Sequence, residues 1–452
     1  MPRLAWFTVP PPNDAAAYDA GLLPHLLPSF DVDVFLERAA VRGDGDAPFG
    51  AHDFVWKHAQ RPYDLVVYQL DGTPAHDYLW AYLARYPGLV VLHDGLLHRG
   101  RARRLVADRR LEDYRREFRY SHPDVSMAIA ELEIAGLLGP MIDRWPMRRV
   151  VTASARMVAV HGEALAGEIR EEDPACPVAV VDPGVRSASP APGARDAIRG
   201  RHGIDGDAVL FLAFETTSAA RWPQAVRAFE ALGDLPVRTH LLGIGAAGAS
   251  AGGGAAGRIT VCAPVTDEEW PDYLAAADAC LCLAWPPRPA PLNWLRCLAA
   301  GLPTVIVDAA GLADVPSCDP RGWAVLHAPP AAASRSDWPR PPAPACLSID
   351  ILDEQHSLAL ALGRLATDPA FRSRIGNSAR ALWEARFTAE RLAASWRTLV
   401  ADACAAPPRA DALSGLPAHF RSNGLEHAAT LLRRDGFPDT ALASVWAREP
   451  TL

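Results

Sequence analysis

Short apolar runs alternate with stretches of helical periodicity along most of the chain. In the first half the runs are Leu4–Val9, Val32–Leu36, Asp64–Tyr68, Leu89–Leu92 and Met157–Val160. Helical patterns fall between them, as at Asp77–Arg85 and Pro123–Leu138. Strands separated by helices predict a parallel sheet, because a parallel pair needs a crossover that a helix supplies. A second series follows: Val209–Ala213, Thr239–Leu242, Ile259–Cys262, Cys280–Leu283, Thr304–Val307 and Ala324–Leu326. Between the two series lies VVDPGV (Val180–Val185) and a Pro/Ala/Gly-rich stretch to Gly193, which sets a domain boundary near residue 184.

The segment Val265–Val307 shows the pattern at its clearest. Asp267 can cap a helix whose first turn holds Glu268 and Glu269, where carboxylates suit the positive end of the dipole. Ala279–Ala284 (ACLCLA) suits a strand buried on both faces. The helix from Leu292 ends at Gly301, Pro303 blocks its continuation, and Thr304–Val307 opens the next strand. Such a unit places a loop and a helix N-terminus above the carboxyl end of a parallel strand, where α/β sheets hold ligands and phosphate groups.

Two low-complexity stretches interrupt the second half. Gly243–Gly257 contains a GxG after a strand, yet no GxGxxG opening a helix follows, so it reads as a flexible surface loop rather than a dinucleotide site. Pro329–Pro344 reads as a Pro/Ala-rich surface excursion. From Thr388 to Ala405 the spacing of Leu392, Ala393, Trp396 and Leu399 predicts an amphipathic helix, and Leu425–Arg434 is a further helical patch.

At 452 residues the chain is long enough for two or three domains. A net charge of −8 argues against a nucleic-acid binder driven by phosphate neutralisation. The arginine run Arg99, Arg101, Arg103, Arg104, Arg109 and Arg110 reads first as a solvated helix face and second as a surface for an anionic acceptor or membrane. No signal peptide is visible and no apolar stretch approaches a membrane span, so a cytoplasmic protein, with peripheral contact at the inner face of the membrane left open, is expected. The eight cysteines show no CxxC pair or zinc spacing, and Cys280 and Cys282 read as core residues. Asp31 and Asp33 have the DxD spacing of a metal–diphosphate site, but the alternating strand DVDVFLE turns both toward solvent, so no metal is expected.

In order and spacing, several segments resemble the bacterial family-4 (group 1) glycosyltransferases of GT-B fold. They are VTDEEW…LAAADACLCLAW…WLRCLAAGLPTVIVD, VVDPGV at the domain crossing, YPGLVVLHDGLLH (86–98), YQLDGTPAHDY (68–78) and ARFTAERLAASW (385–396). The resemblance covers about residues 1–405. It implies two Rossmann-like parallel-sheet domains facing a cleft plus a C-terminal helical extension. Residues 1–184 would form the acceptor-side domain and 185–385 the nucleotide-sugar domain. Residues 386–452 would supply a helix packing back toward the first domain, and a tail. It further implies metal-independent, retaining transfer from a nucleoside-diphosphate sugar to a glycan, lipid-linked or small-molecule acceptor, with no cofactor and no nucleic-acid partner.

Carried over residue by residue, the resemblance puts Arg221 at a phosphate-binding position and His93, with Asp94, at the position that contacts the donor sugar. A neutral imidazole offers one donor and one acceptor to sugar hydroxyls. The helix start at Leu292, Asn293 and Trp294 would offer amide donors to a diphosphate whatever its side chains. His76 and Asp77 are further cleft candidates, with helix capping as the plainer reading of Asp77, and His161 reads as structural.

Four departures fall on donor-contacting positions. Ala220 replaces a lysine; Arg288 or Pro289, and Arg296, stand where two glutamates are usual; Asn13–Ala17 replaces a Gly-containing loop; and Asp71–Gly72 stands where related sequences have Gly–Asn. A GT-B homologue that has lost turnover and partners an active glycosyltransferase is therefore the alternative reading. An epimerase on the same fold is a distant third.

Overall fold

The computed structural model describes residues 1–11, 13–38, 47–214, 222–245, 257–283, 292–307, 315–326, 343–409, 412–421, 433 and 436. Seven strands of the first half, β1 (Arg3–Phe7), β2 (Asp31–Leu36), β3 (Phe49–Gly50), β4 (Leu65–Leu70), β5 (Leu89–Leu92), β6 (Met157–Val160) and β7 (Val178–Val180), form one sheet. Their order is β3-β2-β1-β4-β5-β6-β7, and every pairing is parallel. The central strands β4 (LVVYQL) and β5 (LVVL) are buried along their whole length, as expected for strands covered on both faces.

A second sheet holds β8 (Val209–Ala213), β9 (Thr239–Ile244), β10 (Ile259–Cys262), β11 (Ala279–Cys282), β12 (Thr304–Val307), β13 (Ser317–Cys318), β14 (Val325–Leu326) and β15 (Cys346–Ile349). The order is β10-β9-β8-β11-β12-β15-β13-β14, with only the edge pair β13–β14 antiparallel. The run expected at Ala324–Leu326 is that edge strand. The periodicity did not reveal β15, a four-residue CLSI strand that lies centrally between β12 and β13. Most of Gly243–Gly257 and of Pro329–Pro344, and the patch Leu425–Arg434 apart from Arg433, lie outside the described residues.

The helix Ala389–Ala405 opens on Thr388, whose side chain accepts a hydrogen bond from the Arg391 amide at 3.3 Å. Leu392, Ala393, Trp396, Leu399 and Val400 are buried in one core with Trp6, Leu22 and Val67 of the first sheet and its helix Asp14–Leu26. Trp396 packs on Trp6 at 4.8 Å between ring centres. Each such large apolar side chain contributes about 1.5–3 kcal/mol by leaving water.

The chain passes twice between the sheets, near residues 182–193 and 386–389. The two passages are joined to each other. Val185 donates its amide to the Phe387 carbonyl at 2.9 Å and bridges Thr388 in parallel, while the Trp383 indole donates to the Val185 carbonyl at 3.2 Å. Arg386 Nε donates to Asp182 at 3.0 Å. Gly184 is required here, since a Cβ would stand 2.7 Å from the Leu392 Cβ and 2.9 Å from the Thr388 carbonyl oxygen.

Both sheets belong to one compact unit; residues 72–88, 96–156 and 407 onward form a second, helical unit. Its core joins Leu105, Tyr114, Phe118, Ile142 and Met147. The expected helix Pro123–Leu138 is shorter, Ala128–Ile134. Arg101, a member of the arginine run read as a solvated face, is instead buried. It pairs with Glu117 at 2.5 Å and 2.8 Å and with Asp77 at 2.5 Å, while His419 meets the same Glu117 at 2.7 Å. Burial alone would raise the Glu117 carboxyl; Arg101 and His419 outweigh it and hold it below the usual range. Asp77 thus serves this ion cluster rather than a helix cap.

Candidate active site

At the carboxyl ends of β4, β5 and β6 three buried polar side chains meet. The register pairs Gln69 with Val91, and Leu92 with Val160. His93 lies two residues beyond Val91 and so returns to the face that Gln69 occupies; His161 follows Val160 beside it. His93 Nε2 is 2.7 Å from Gln69 Oε1, and His93 Nδ1 is 3.1 Å from His161 Nε2. His161 Nδ1 is 2.9 Å from the Val181 carbonyl oxygen. Burial lowers the His161 pKa, with the Val181 carbonyl and Asp182 opposing it. Tyr18, from the helix Asp14–Leu26, packs its ring at 71° against His93, 4.9 Å between centres, and receives the Trp396 indole N–H at 2.7 Å. His93 therefore stands at the expected strand end, but nine-tenths buried and already engaged by two side chains. In sequence Gln69 falls within YQLDGTPAHDY without standing out there, and His161 reads as structural; a polar residue at or beside the end of an apolar strand was the available signal for both.

The loop after β1 is organised by Asn13. Its side-chain oxygen accepts the Ala15 amide at 2.8 Å, which caps the helix, and its amide nitrogen donates to buried Asp71 at 3.3 Å. Behind that loop lies Asp19, 4% exposed. Burial pushes its pKa up to about 7, against smaller lowering contributions from Thr8 and Trp6, and neither of its oxygens has a well-aligned hydrogen bond. Asp94 is half-buried just beyond His93. His76 lies in the helical unit, fully buried, with Nδ1 3.1 Å from the Thr73 hydroxyl.

The unit with both sheets also carries a groove of about 710 Å³. Ala17 and Gly21 of the helix Asp14–Leu26 line it from one side, Leu292 and Arg296 of the helix Leu292–Ala299 from another, with Arg186 of the crossover and Arg380. Arg296 is held by Asp267 at 2.6 Å. Asp267 therefore does not cap the following helix, Trp270–Ala276; Glu269 takes the cap position and accepts the Thr266 amide at 3.1 Å. Asn293 is half-buried, whereas Trp294 is 1% exposed and packs edge-on against Phe387, so a ligand could use only its backbone amide. Arg221, Arg288 and Pro289 lie outside the described residues.

Among the described residues no group of three or more His, Cys, Asp or Glu is placed to hold a metal ion. Of the DxD pair, Asp31 faces solvent as expected, with its side chain 46% exposed, and Asp33 does not. Asp33 receives Arg3 at 2.7 Å, the Tyr63 hydroxyl at 2.5 Å and Lys57 at 3.3 Å, and Asp31 pairs with Arg61 at 3.6 Å. Cations from neighbouring segments have claimed the acids. All eight cysteines are free, and Cys280 is fully buried in the core. No helix among the described residues is long and apolar enough to cross a membrane.

The sequence matches no protein-family model and no curated protein. Solved structures match its fold along nearly the whole chain. Sucrose-phosphate synthase from Thermosynechococcus elongatus is 15% identical with a TM-score of 0.56, over 90% of this chain and 100% of that one. HepE from Anabaena, in complex with UDP-glucose, is 13% identical with a TM-score of 0.55, over 89% and 100%. WaaG, a glycosyltransferase involved in lipopolysaccharide biosynthesis, is 13% identical with a TM-score of 0.52, over 88% and 99%. At such identities the likeness is one of fold. The chain has the GT-B fold, with two Rossmann-like sheets and a helical C-terminal extension.

Proposed function

We propose that the protein is a glycosyltransferase that moves a sugar from a nucleoside-diphosphate sugar to a glycan, lipid-linked or small-molecule acceptor, with retention and without a metal or other cofactor. The observation that carries this reading is the GT-B fold along the whole length of neighbours solved with UDP-glucose or UDP. The leaving diphosphate develops negative charge, and fixed N–H groups and cations lower the barrier by meeting that charge where it forms. The amides at Leu292, Asn293 and Trp294 supply the N–H groups at a helix N-terminus above β11. Arg221 supplies the cation. His93 reaches a sugar hydroxyl through Nε2 by exchanging its contact with Gln69, and Asp94 stands beside it. His76 is a further substrate-binding residue. An acceptor carried on a lipid would bring the protein to the inner face of a membrane.

The test is a thermal-shift and product screen with UDP-, GDP-, ADP- and TDP-sugars and the free diphosphates. A ligand at a hundred times its Kd stabilises a folded protein by about 2.7 kcal/mol, a readily measured rise in Tm. Sugar transfer or donor hydrolysis is expected, with kcat/KM reduced about 30-fold or more in Arg221→Ala, as for loss of a buried charged contact. No shift with any nucleoside diphosphate or nucleotide sugar would sink the proposal.

A further inference from the structure

We propose that the turn at residues 135–141 of the helical unit, with the arginines beside it, docks on an anionic lipid bilayer. The helix Ala128–Ile134 ends in a paired closure. The Gly136 amide donates to the Glu133 carbonyl at 2.8 Å and the Leu137 amide to the Leu132 carbonyl at 2.8 Å. That closure needs a left-handed residue, which Gly136 supplies at φ +70°, and it sets Leu137 beside Leu132. Both leucines stand on the outside, Leu137 72% exposed and Leu132 40%. Gly139, at φ +56°, turns the chain again, and Met141 beyond it is 53% exposed. Of residues 135–141 only Leu138 is buried, and none is charged. Single exposed apolar side chains are ordinary; a contiguous apolar turn marks a contact surface.

Charge identifies what covers it. Residues 96–156 hold thirteen arginines, no lysine and eight acids, a net charge of +5 in a chain of −8, so the rest of the chain totals −13. An anionic surface therefore attracts this segment and repels the remainder. Arg99 Nη2 donates to both oxygens of Asp143, at 3.1 and 3.2 Å, and so ties the end of the turn to the helix His98–Ala107. Arg144 follows directly, and Arg103 lies one helical turn beyond Arg99. Both are exposed, and neither has an ion partner among the described residues. The acids nearest the turn are already quenched: Glu131 pairs with Arg115 at 2.6 Å, and burial pushes the Glu133 carboxyl pKa up against the opposing pull of Arg99. Leucine and methionine can enter the boundary between headgroups and acyl chains while guanidinium groups stay at the lipid phosphates. The inference deepens the proposed glycosyl transfer and rests on it only for its purpose, which is delivery of the protein to a lipid-linked acceptor.

The experiment is co-sedimentation of the full chain with vesicles of phosphatidylcholine alone, and of phosphatidylcholine and phosphatidylglycerol in equal parts. Binding is expected to the mixed vesicles only, and to weaken as salt is raised. Replacing Leu137 and Met141 together by serine is expected to lower the partition coefficient about tenfold, through the apolar area withdrawn from the bilayer. Arg103→Gln and Arg144→Gln should each lower it about fivefold, the usual effect of one basic residue at an anionic surface. All four side chains are exposed, so the urea midpoint should not move, and that measurement separates lost docking from lost folding. Absence of binding to the mixed vesicles, or undiminished binding by the serine double variant, would overturn the proposal. So would self-association of the wild type that the same variant abolishes without any vesicle binding, since the turn would then be a protein interface. No nucleotide is present, so a failed donor screen would remove the proposed function and leave the vesicle result standing.

Discussion

The two sheets follow the same strand–helix grammar, and each holds an ion cluster at its amino end, Arg3 with Asp33 and Arg199 with Asp278. The described residues of the first sheet also bury polar side chains at its carboxyl end. In the first sheet Gln69, His93 and His161 gather at the carboxyl ends of β4, β5 and β6. In the second, among the described residues, a buried ion cluster sits at the amino end. Asp278, just before β11, accepts the Leu210 amide at 2.8 Å and pairs with Arg199 at 2.7 Å and Arg195 at 2.8 Å. Arg199 also donates to the carbonyls of Ala208 and Ala276. Ligands bind at the carboxyl edge of an open α/β sheet. Buried polarity at that edge is therefore available to chemistry, while the same investment at the amino edge can only staple helices to strands.

The comparison can be broken at its strongest point first. Arg199→Ala should cost about 3–5 kcal/mol, the usual penalty for stripping a partner from a buried ion pair, read as a large fall in urea midpoint. Its nucleotide affinity per folded molecule should stay unchanged. An equal loss of binding would mean that the amino-edge clamp is not purely structural.

Asp19 tests the first sheet by pH. Its folded-state pKa of about 7 lies above the ordinary 3.8, so the folded protein holds a proton that the unfolded chain releases. The resulting penalty is absent below about pH 4, grows as pH rises toward 7 and is complete above it, at about 4 kcal/mol for some three pKa units. Asp19→Asn should therefore be the more stable protein at pH 8, with the advantage fading toward pH 4. Urea titrations at the two pH values read the difference, and a constant gap would refute the buried-acid account.

The smallest effect on stability is expected for Arg296→Ala. Its partner Asp267 is largely exposed, and such surface pairs contribute about 0–1 kcal/mol. The same change should alter ligand affinity in the groove that Arg296 lines. A midpoint shift of several kcal/mol with no change in binding would move Arg296 from the groove to the scaffold.

The alternation of strands and helices was legible because β4, β5, β8 and β12 are nearly pure apolar runs between helical stretches. β15 was not, since CLSI is four residues long and emerges from a Pro/Ala-rich stretch that carries no helical or strand period. The position of His93 at a strand end was legible because it directly follows an apolar run. Its partners were not, because Gln69 and His161 stand 24 and 68 residues away and only the register of β4, β5 and β6 brings them together. Asp33 was misjudged by periodicity, which says which side of a strand a residue takes but not which cations wait there. Asp267 was misjudged similarly: capping chemistry is local, and the arginine that claimed it lies a helix and a strand away.

The pairing of Val185 with Phe387 and Thr388 also has a mechanical side. Two separate strands passing between the sheets could shear past one another and let the halves slide or twist independently. Joined by backbone hydrogen bonds and the Asp182–Arg386 pair, they behave as one stiff ribbon with a single easy bending axis. Bending about that line is then the expected easy motion of the two sheets, and shear between them the resisted one.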